Sequence, residues 1–210
     1  MEGENVFAVA IRQFSPEQLH LGIYCKSEKG ESVIHLINNY NVARSNSIAN
    51  YDYLKFVQLD DEYDVIHMIS LAESLCDKVP CEIAYGPCGG AGFDENGNYF
   101  GDIGDGLTCS SFVLALIESQ GYSLITKETW PIREEDKKWQ LEALTGLKDK
   151  VMFPDDQDHI ELQMKKWNDG ALRFRPDEVG ASVTFEDTPN DFETISESAA
   201  RIRSYLNEKA

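Results

Sequence analysis

Apolar positions in the first sixty residues alternate with polar ones or run together, and further on they recur every third or fourth residue, so the chain should open with strands and continue with helices. Val6 to Ile11 is a short run rich in branched residues and is expected as a buried strand. Ser15-Pro16-Glu17 should turn the chain. His20 to Cys25 and Ser32 to Ile37 flank a polar stretch, Lys26 to Gly30, and read as the two strands of a hairpin. With a loop over 26–29, directly opposed positions sum to 55, which sets His20 across from His35 on one face. A one-residue slip would send them to opposite faces. Asn38 to Asn50, rich in Asn and Ser, reads as a loop, and Tyr53 to Leu59 as a third strand of the same sheet.

Helical spacing begins after Asp60 and Asp61. Val65, Ile66, Ile69, Ala72, Leu75, Cys76 and Val79 mark one face of a helix over 61–79, stopped by Pro80, with His67, Ser70, Glu73 and Asp77 on the polar side. Residues 86–106 are rich in glycine and are expected to form a loop that walls or covers a site. Thr108 or Asp105 can then cap a buried helix whose first turn holds Cys109 and whose apolar run starts at Phe112. Beyond Gly121 and the break at Trp130-Pro131, helices are expected over 134–148 and 157–169, anchored by Trp139, Leu144, Ile160, Met164 and Trp167. An extended segment should follow over Arg173 to Phe185. A last helix over 191–207 carries Phe192, Ile195, Ala199, Ile202 and Leu206 on one stripe and should dock on the body.

Charge narrows the partners. With 37 acidic against 19 basic residues the formal net charge is −18, which opposes binding to nucleic acid or to an anionic membrane through bulk electrostatics. No segment reads as a signal peptide or a membrane span, and five cysteines suit free thiols in a reducing cytosol, with leaderless export as an effector left open. No metal or other cofactor is expected. Cys81 and Cys88 lack a close pairing and a nearby histidine, so zinc does not fit. Asp94, Asn96 and Asn98 have the opening spacing of a calcium loop, but Tyr99 stands where the turn needs glycine and Asp105 replaces the closing glutamate. The glycines match neither phosphate-binding pattern. His67 and His159 are expected on helix surfaces.

What remains is a cysteine with two histidines. At a helix start, the unpaired N–H groups and the positive end of the dipole favour a thiolate, whereas a small buried cysteine is the structural alternative. A thiol nucleophile also needs an imidazole base and a polar group that orients it. His20, His35 and Cys109 meet that description. These residues resemble the circularly permuted papain-like proteins, which include lecithin:retinol acyltransferase relatives and NlpC-type peptidases. The resemblance lies in His20-Leu21-Gly22-Ile23-Tyr24, Val33-Ile34-His35-Leu36 and Thr108-Cys109-Ser110-Ser111-Phe112-Val113. Thr108 departs from the usual Asn or Asp, and Leu21 from the usual aromatic or valine. The resemblance covers roughly residues 5–120. It implies Cys109 as nucleophile, His20 as base and His35 as the orienting group.

The expected fold is therefore α+β and papain-like, with a small antiparallel sheet packed on the Cys109 helix over residues 1–130. A helical elaboration over 131–210 should pack on that core. The expected function is a cysteine hydrolase cleaving an amide bond, with a peptide or cell-wall fragment as substrate. A thiol acyltransferase or lipase acting on lipid esters is the first alternative, and a non-catalytic binding protein the second. The sequence sets no oligomeric state.

Overall fold

The computed structural model describes residues 5–15, 18–78, 81–149 and 154–209. Five antiparallel strands form one sheet: β1 (Val6–Ser15), β2 (Gln18–Ser27), β3 (Gly30–Asn38), β4 (Asn41–Ser45) and β5 (Asp52–Lys55), in the order β4-β3-β2-β1-β5. Pro16, Glu17, Val79 and Pro80, expected as turn and helix-end residues, lie outside the described residues. The Asn- and Ser-rich stretch expected as a loop contains β4, which pairs with β3 and closes that edge of the sheet. The third expected strand is shorter than 53–59 and pairs with β1; beyond it Phe56 and Leu59 drop into the core.

Alternation along the strands gives the sheet two unequal faces. Phe7, Val9, Ile11, Leu21, Ile23, Cys25, Ile34 and Leu36 face the main core. Ala8, Ala10, Tyr24, Val33 and Tyr51 form a smaller cluster on the other face. Against the large face pack α1 (Glu62–Asp77), α2 (Cys109–Ser119) and α5 (Pro176–Ser182). Between α1 and α2 a two-strand ribbon, β6 (Gly92–Phe93) with β7 (Tyr99–Phe100), turns on Asp94, whose carboxylate accepts from the amides of Asn96 and Asn98. The carboxylate thus serves a local turn.

Two helices, α3 (Glu134–Lys148) and α4 (Pro154–Asn168), pair with each other, and α6 (Phe192–Lys209) packs on α5 and β1. The region expected to be extended, 173–185, contains α5. Glu178 accepts from the Arg175 amide at 2.8 Å and closes its first turn. On α1, Glu73 is buried, not exposed, because Lys29 at 2.9 Å and Arg44 at 3.8 Å satisfy its carboxylate. Among the described residues, no helix is long and apolar enough to cross a membrane.

Candidate active site

The histidine pair comes from the hairpin. β2 and β3 pair from Ser27↔Gly30 to Ile23↔Ile34, so opposed positions sum to 57 and the turn is Glu28-Lys29. This corrects the expected register by two residues: His20 and His35 are diagonal neighbours and not opposed. Because a slip of two preserves side-chain parity, both remain on one face. His20 Nε2 and His35 Nδ1 are 2.7 Å apart, a hydrogen bond between two part-buried imidazoles. Continuing the register puts Gly22 opposite His35, and the missing side chain there matters. A Cβ at Gly22 would lie 2.7 Å from Val33 Cγ1 and 3.0 Å from His35 Cβ.

Burial holds both imidazoles neutral. It pushes His20 down to about 3, with His35 and then Arg12 adding to the effect, and His35 down to about 4, with Arg12 second. Arg12 stands opposite His20 on β1, and its guanidinium lies 4.9 Å from the centre of the Tyr51 ring. Sequence reasoning passed over Arg12 and Tyr51. Their same-face placement follows from the β1 alternation, but their contact depends on a loop return that has no local signal.

Cys109 opens α2, as expected, and Thr108 is its cap. The Thr108 hydroxyl accepts from the Ser111 amide at 3.2 Å, and the Ser111 hydroxyl accepts from the Thr108 amide at 2.7 Å, a capping box built with serine. Asp105 does not cap; it pairs with Lys166 on α4. No acidic residue occupies the first turn of α2, so the positive end of its dipole is unopposed. Burial raises the Cys109 thiol above its ordinary value. Four groups pull against that: the backbone N–H of Leu21, the charge of Arg173, and the N–H groups of Ser110 and Cys109.

Leu21 follows His20 on β2 and lies beyond the last β2–β3 pair, and its backbone is among the groups that lower the Cys109 thiol. Alternation sends the Leu21 side chain to the large core with α2 and His20 to the smaller face, so the structure joins His20 to His35 but sets Cys109 and the two imidazoles on opposite faces of β2, without a contact between His20 and the sulfur. Tyr51, on the His face, also feels the Cys109 charge.

Paired backbones fix the approach to Cys109. Gly86 donates to Leu107 O at 3.1 Å and Leu107 to Ala84 O at 2.9 Å. The segments pass so closely that a Cβ at Gly106 would sit 2.5 Å from Gly86 N. Two buried glutamines hold this glycine-rich wall: Gln163 bonds the Cys88 amide at 2.9 Å and Gly104 O at 2.9 Å, and Gln140 bonds Pro87 O at 3.0 Å. A groove of about 970 Å³ opens beside it, lined among others by Gln18, Ile37, Tyr85, Trp139 and His159. Gln18 and Ile37 are two residues from His20 and His35, so the groove borders the histidine face. His159 is buried, not on the surface, with Nε2 2.9 Å from Tyr85 O. His67 is exposed and bonds Gln120 at 2.8 Å.

Comparison with protein-family models, curated proteins and solved structures finds no match for this chain.

Proposed function

We propose that this chain is a cysteine hydrolase of the permuted papain-like kind, cleaving an amide bond in a peptide such as a cell-wall fragment. The observation that carries the reading is the 2.7 Å His20–His35 hydrogen bond on β2, whose next residue, Leu21, lies in the core cluster on which the helix-start Cys109 packs. A cysteine kept only for packing needs no such imidazole pair.

Both histidines are neutral and the thiol is protonated at rest, so the proton moves during attack. His20 acts as base when its Nε2–H donates to His35 Nδ1, which leaves His20 Nδ1 with a free lone pair. His35 selects that tautomer. As Cys109 sulfur adds to the carbonyl carbon, its proton passes to His20 once that imidazole has turned past the end of β2 to reach the sulfur, and the oxyanion takes N–H groups of the first turn of α2. The imidazolium then gives its proton to the leaving amine as the C–N bond breaks. Water, deprotonated by His20, attacks the thioester, and collapse releases the acid and restores the thiol.

Purified protein incubated with peptidoglycan-derived peptides tests this. Cleavage should occur and vanish in Cys109→Ala, while His35→Ala should keep part of it, because an orienting group is less essential than the base it holds. Cys109-dependent hydrolysis of phospholipid with no peptide cleavage would move the chemistry to lipid esters. If iodoacetamide labels Cys109 no faster than the half-buried Cys76, and His20→Ala changes nothing, the catalytic reading fails and a binding role replaces it.

A further inference from the structure

Five charged side chains from α3, the segment before α5 and α5 itself form one buried cluster. Arg133 pairs with Asp136 and Glu178; Arg173 Nη1 lies 3.1 Å and Arg175 Nε 2.8 Å from Asp136 Oδ1. The Trp130 indole donates to Glu178 at 3.1 Å. Three guanidiniums against two carboxylates leave an excess of one positive charge, inside a chain whose net charge is −18. The two carboxylates are each 4% exposed and the arginines 15–18%. A charge this far from water is unfavourable unless an opposite charge lies within reach.

Arg173 is the member that faces α2. Its guanidinium carbon lies 3.6 Å from the centre of the Trp139 ring, which holds it in place. The next carbonyl, Phe174 O, accepts from the Ser110 hydroxyl at 2.6 Å in the first turn of α2. Together with Thr108 and Ser111, Arg173 also lines a cavity of about 590 Å³ that runs along that helix.

We propose that Arg173 is a positioning residue for Cys109, its buried excess charge being balanced by the Cys109 thiolate as that anion forms. The helical segment 131–210 thereby takes part in activating the nucleophile. This rests on Cys109 being the nucleophile, and not on any substrate.

The groups around the thiol leave this role to one side chain. Tyr51, ahead of β5, and Tyr85, after α1, are both raised by burial and stay neutral near pH 7. His20 on β2 and His35 on β3 lose their charge well below neutrality. Arg12 on β1 acts on the two histidines and on Tyr51. Arg173, which lines the cavity with Thr108 and Ser111 at the start of α2, is among the described residues a charged side chain that favours the Cys109 anion.

The test is the pH dependence of Cys109 alkylation by iodoacetamide, followed by peptide mass spectrometry in the full chain. Arg173→Gln should move the inflection up by about one pH unit and slow the reaction about tenfold below it. Arg173→Lys, which keeps the charge, should recover at least half of that shift, a rescue that a packing role would not give. Should Arg173→Gln fail to fold, Arg175→Gln removes the excess charge while leaving Arg173 in place, and a smaller upward shift is expected. An unchanged inflection in a folded variant, or Lys as poor as Gln, would overturn the proposal. Peptide cleavage plays no part in this readout, so a chain that proves inactive on peptides but shows the shift keeps the inference and loses the hydrolase reading.

Discussion

Two imidazoles 2.7 Å apart share one hydrogen-bond proton, and protonating both rings sets two cations against each other. The native chain therefore resists protonation at His20 and His35 down to about 3 and about 4, whereas each histidine takes a proton near 6.5 once unfolded. Above 6.5 neither state is charged, and the pair gives stability no pH dependence. Below it the unfolded chain binds protons that the native chain refuses, so stability falls as pH drops from 6.5 toward 3–4, by up to about 1.4 kcal/mol per pH unit for each histidine. Urea unfolding at pH 7 and pH 5 should show the midpoint dropping for the parent and dropping less for His20→Gln; equal drops would contradict the neutral pair. Gly22→Ala probes the same contact from the backbone side. The methyl has no room beside Val33 and His35, so a loss of about 1–3 kcal/mol is expected, with His20 no longer affecting Cys109 labelling. A variant as stable as the parent in urea would show that β3 can shift. The shared face of the two histidines was legible in the sequence because period-two parity survives a slip of two residues. Their diagonal offset was not, since the two-residue turn depends on which polar residues of 26–30 leave the ladder.

Helix α2 shows how one element can serve both packing and chemistry. Phe112, Val113, Leu116 and Ile117 bury its length, while the capping box of Thr108 and Ser111 sets where it starts and so where Cys109 stands. Thr108→Ala should cost about 1 kcal/mol in urea unfolding. Thr108→Asn should restore that stability and keep Cys109 reactive. Thr108→Asp should be equally stable but slow alkylation of Cys109, because a carboxylate placed at the cap opposes the thiolate. Equal alkylation rates for the Asn and Asp variants would remove the helix terminus as an activating influence. This start was readable from Thr-Cys-Ser-Ser ahead of an apolar run. Other elements gave no such signal. β4 is a half-exposed edge strand of Asn, Val, Ala, Arg and Ser held by pairing with β3, and α5 is seven residues long and closed by a Glu178 that also accepts from Arg133 and the Trp130 indole. Glu73 and His159 are buried by partners 44 and 74 residues away, Lys29 and Tyr85 O, and no local pattern records that distance.

At the scale of the whole molecule, hydrophobic residues from both ends of the chain share one core. Val179, Ala181, Val183, Ile195, Ala199 and Leu206 belong to the same cluster as Ile11, Leu21, Ile34 and Phe112. Gly180 lies so near the sheet that a Cβ would come within 2.8 Å of Leu54. The polar contacts run the same way: Gln140 and Gln163 hold the glycine-rich wall, and Ser110 bonds Phe174 O. The segment 131–210, expected to pack on the core, contributes six side chains to that same cluster. Removing 131–210 takes away six of these core side chains and bares the surface they cover; at about 1.5–3 kcal/mol for each of the four larger than alanine, the loss is on the order of the whole stability of an ordinary domain. A fragment ending at residue 130 should consequently show no cooperative thermal transition and rapid digestion by a nonspecific protease. Adding 131–210 as a separate chain should restore both the transition and the pH-dependent alkylation of Cys109, if the cluster around Arg173 reassembles on α2. A fragment 1–130 that melts cooperatively and labels at Cys109 like the full chain would show that the site is complete without the C-terminal helices, and the role given to Arg173 would fall with it.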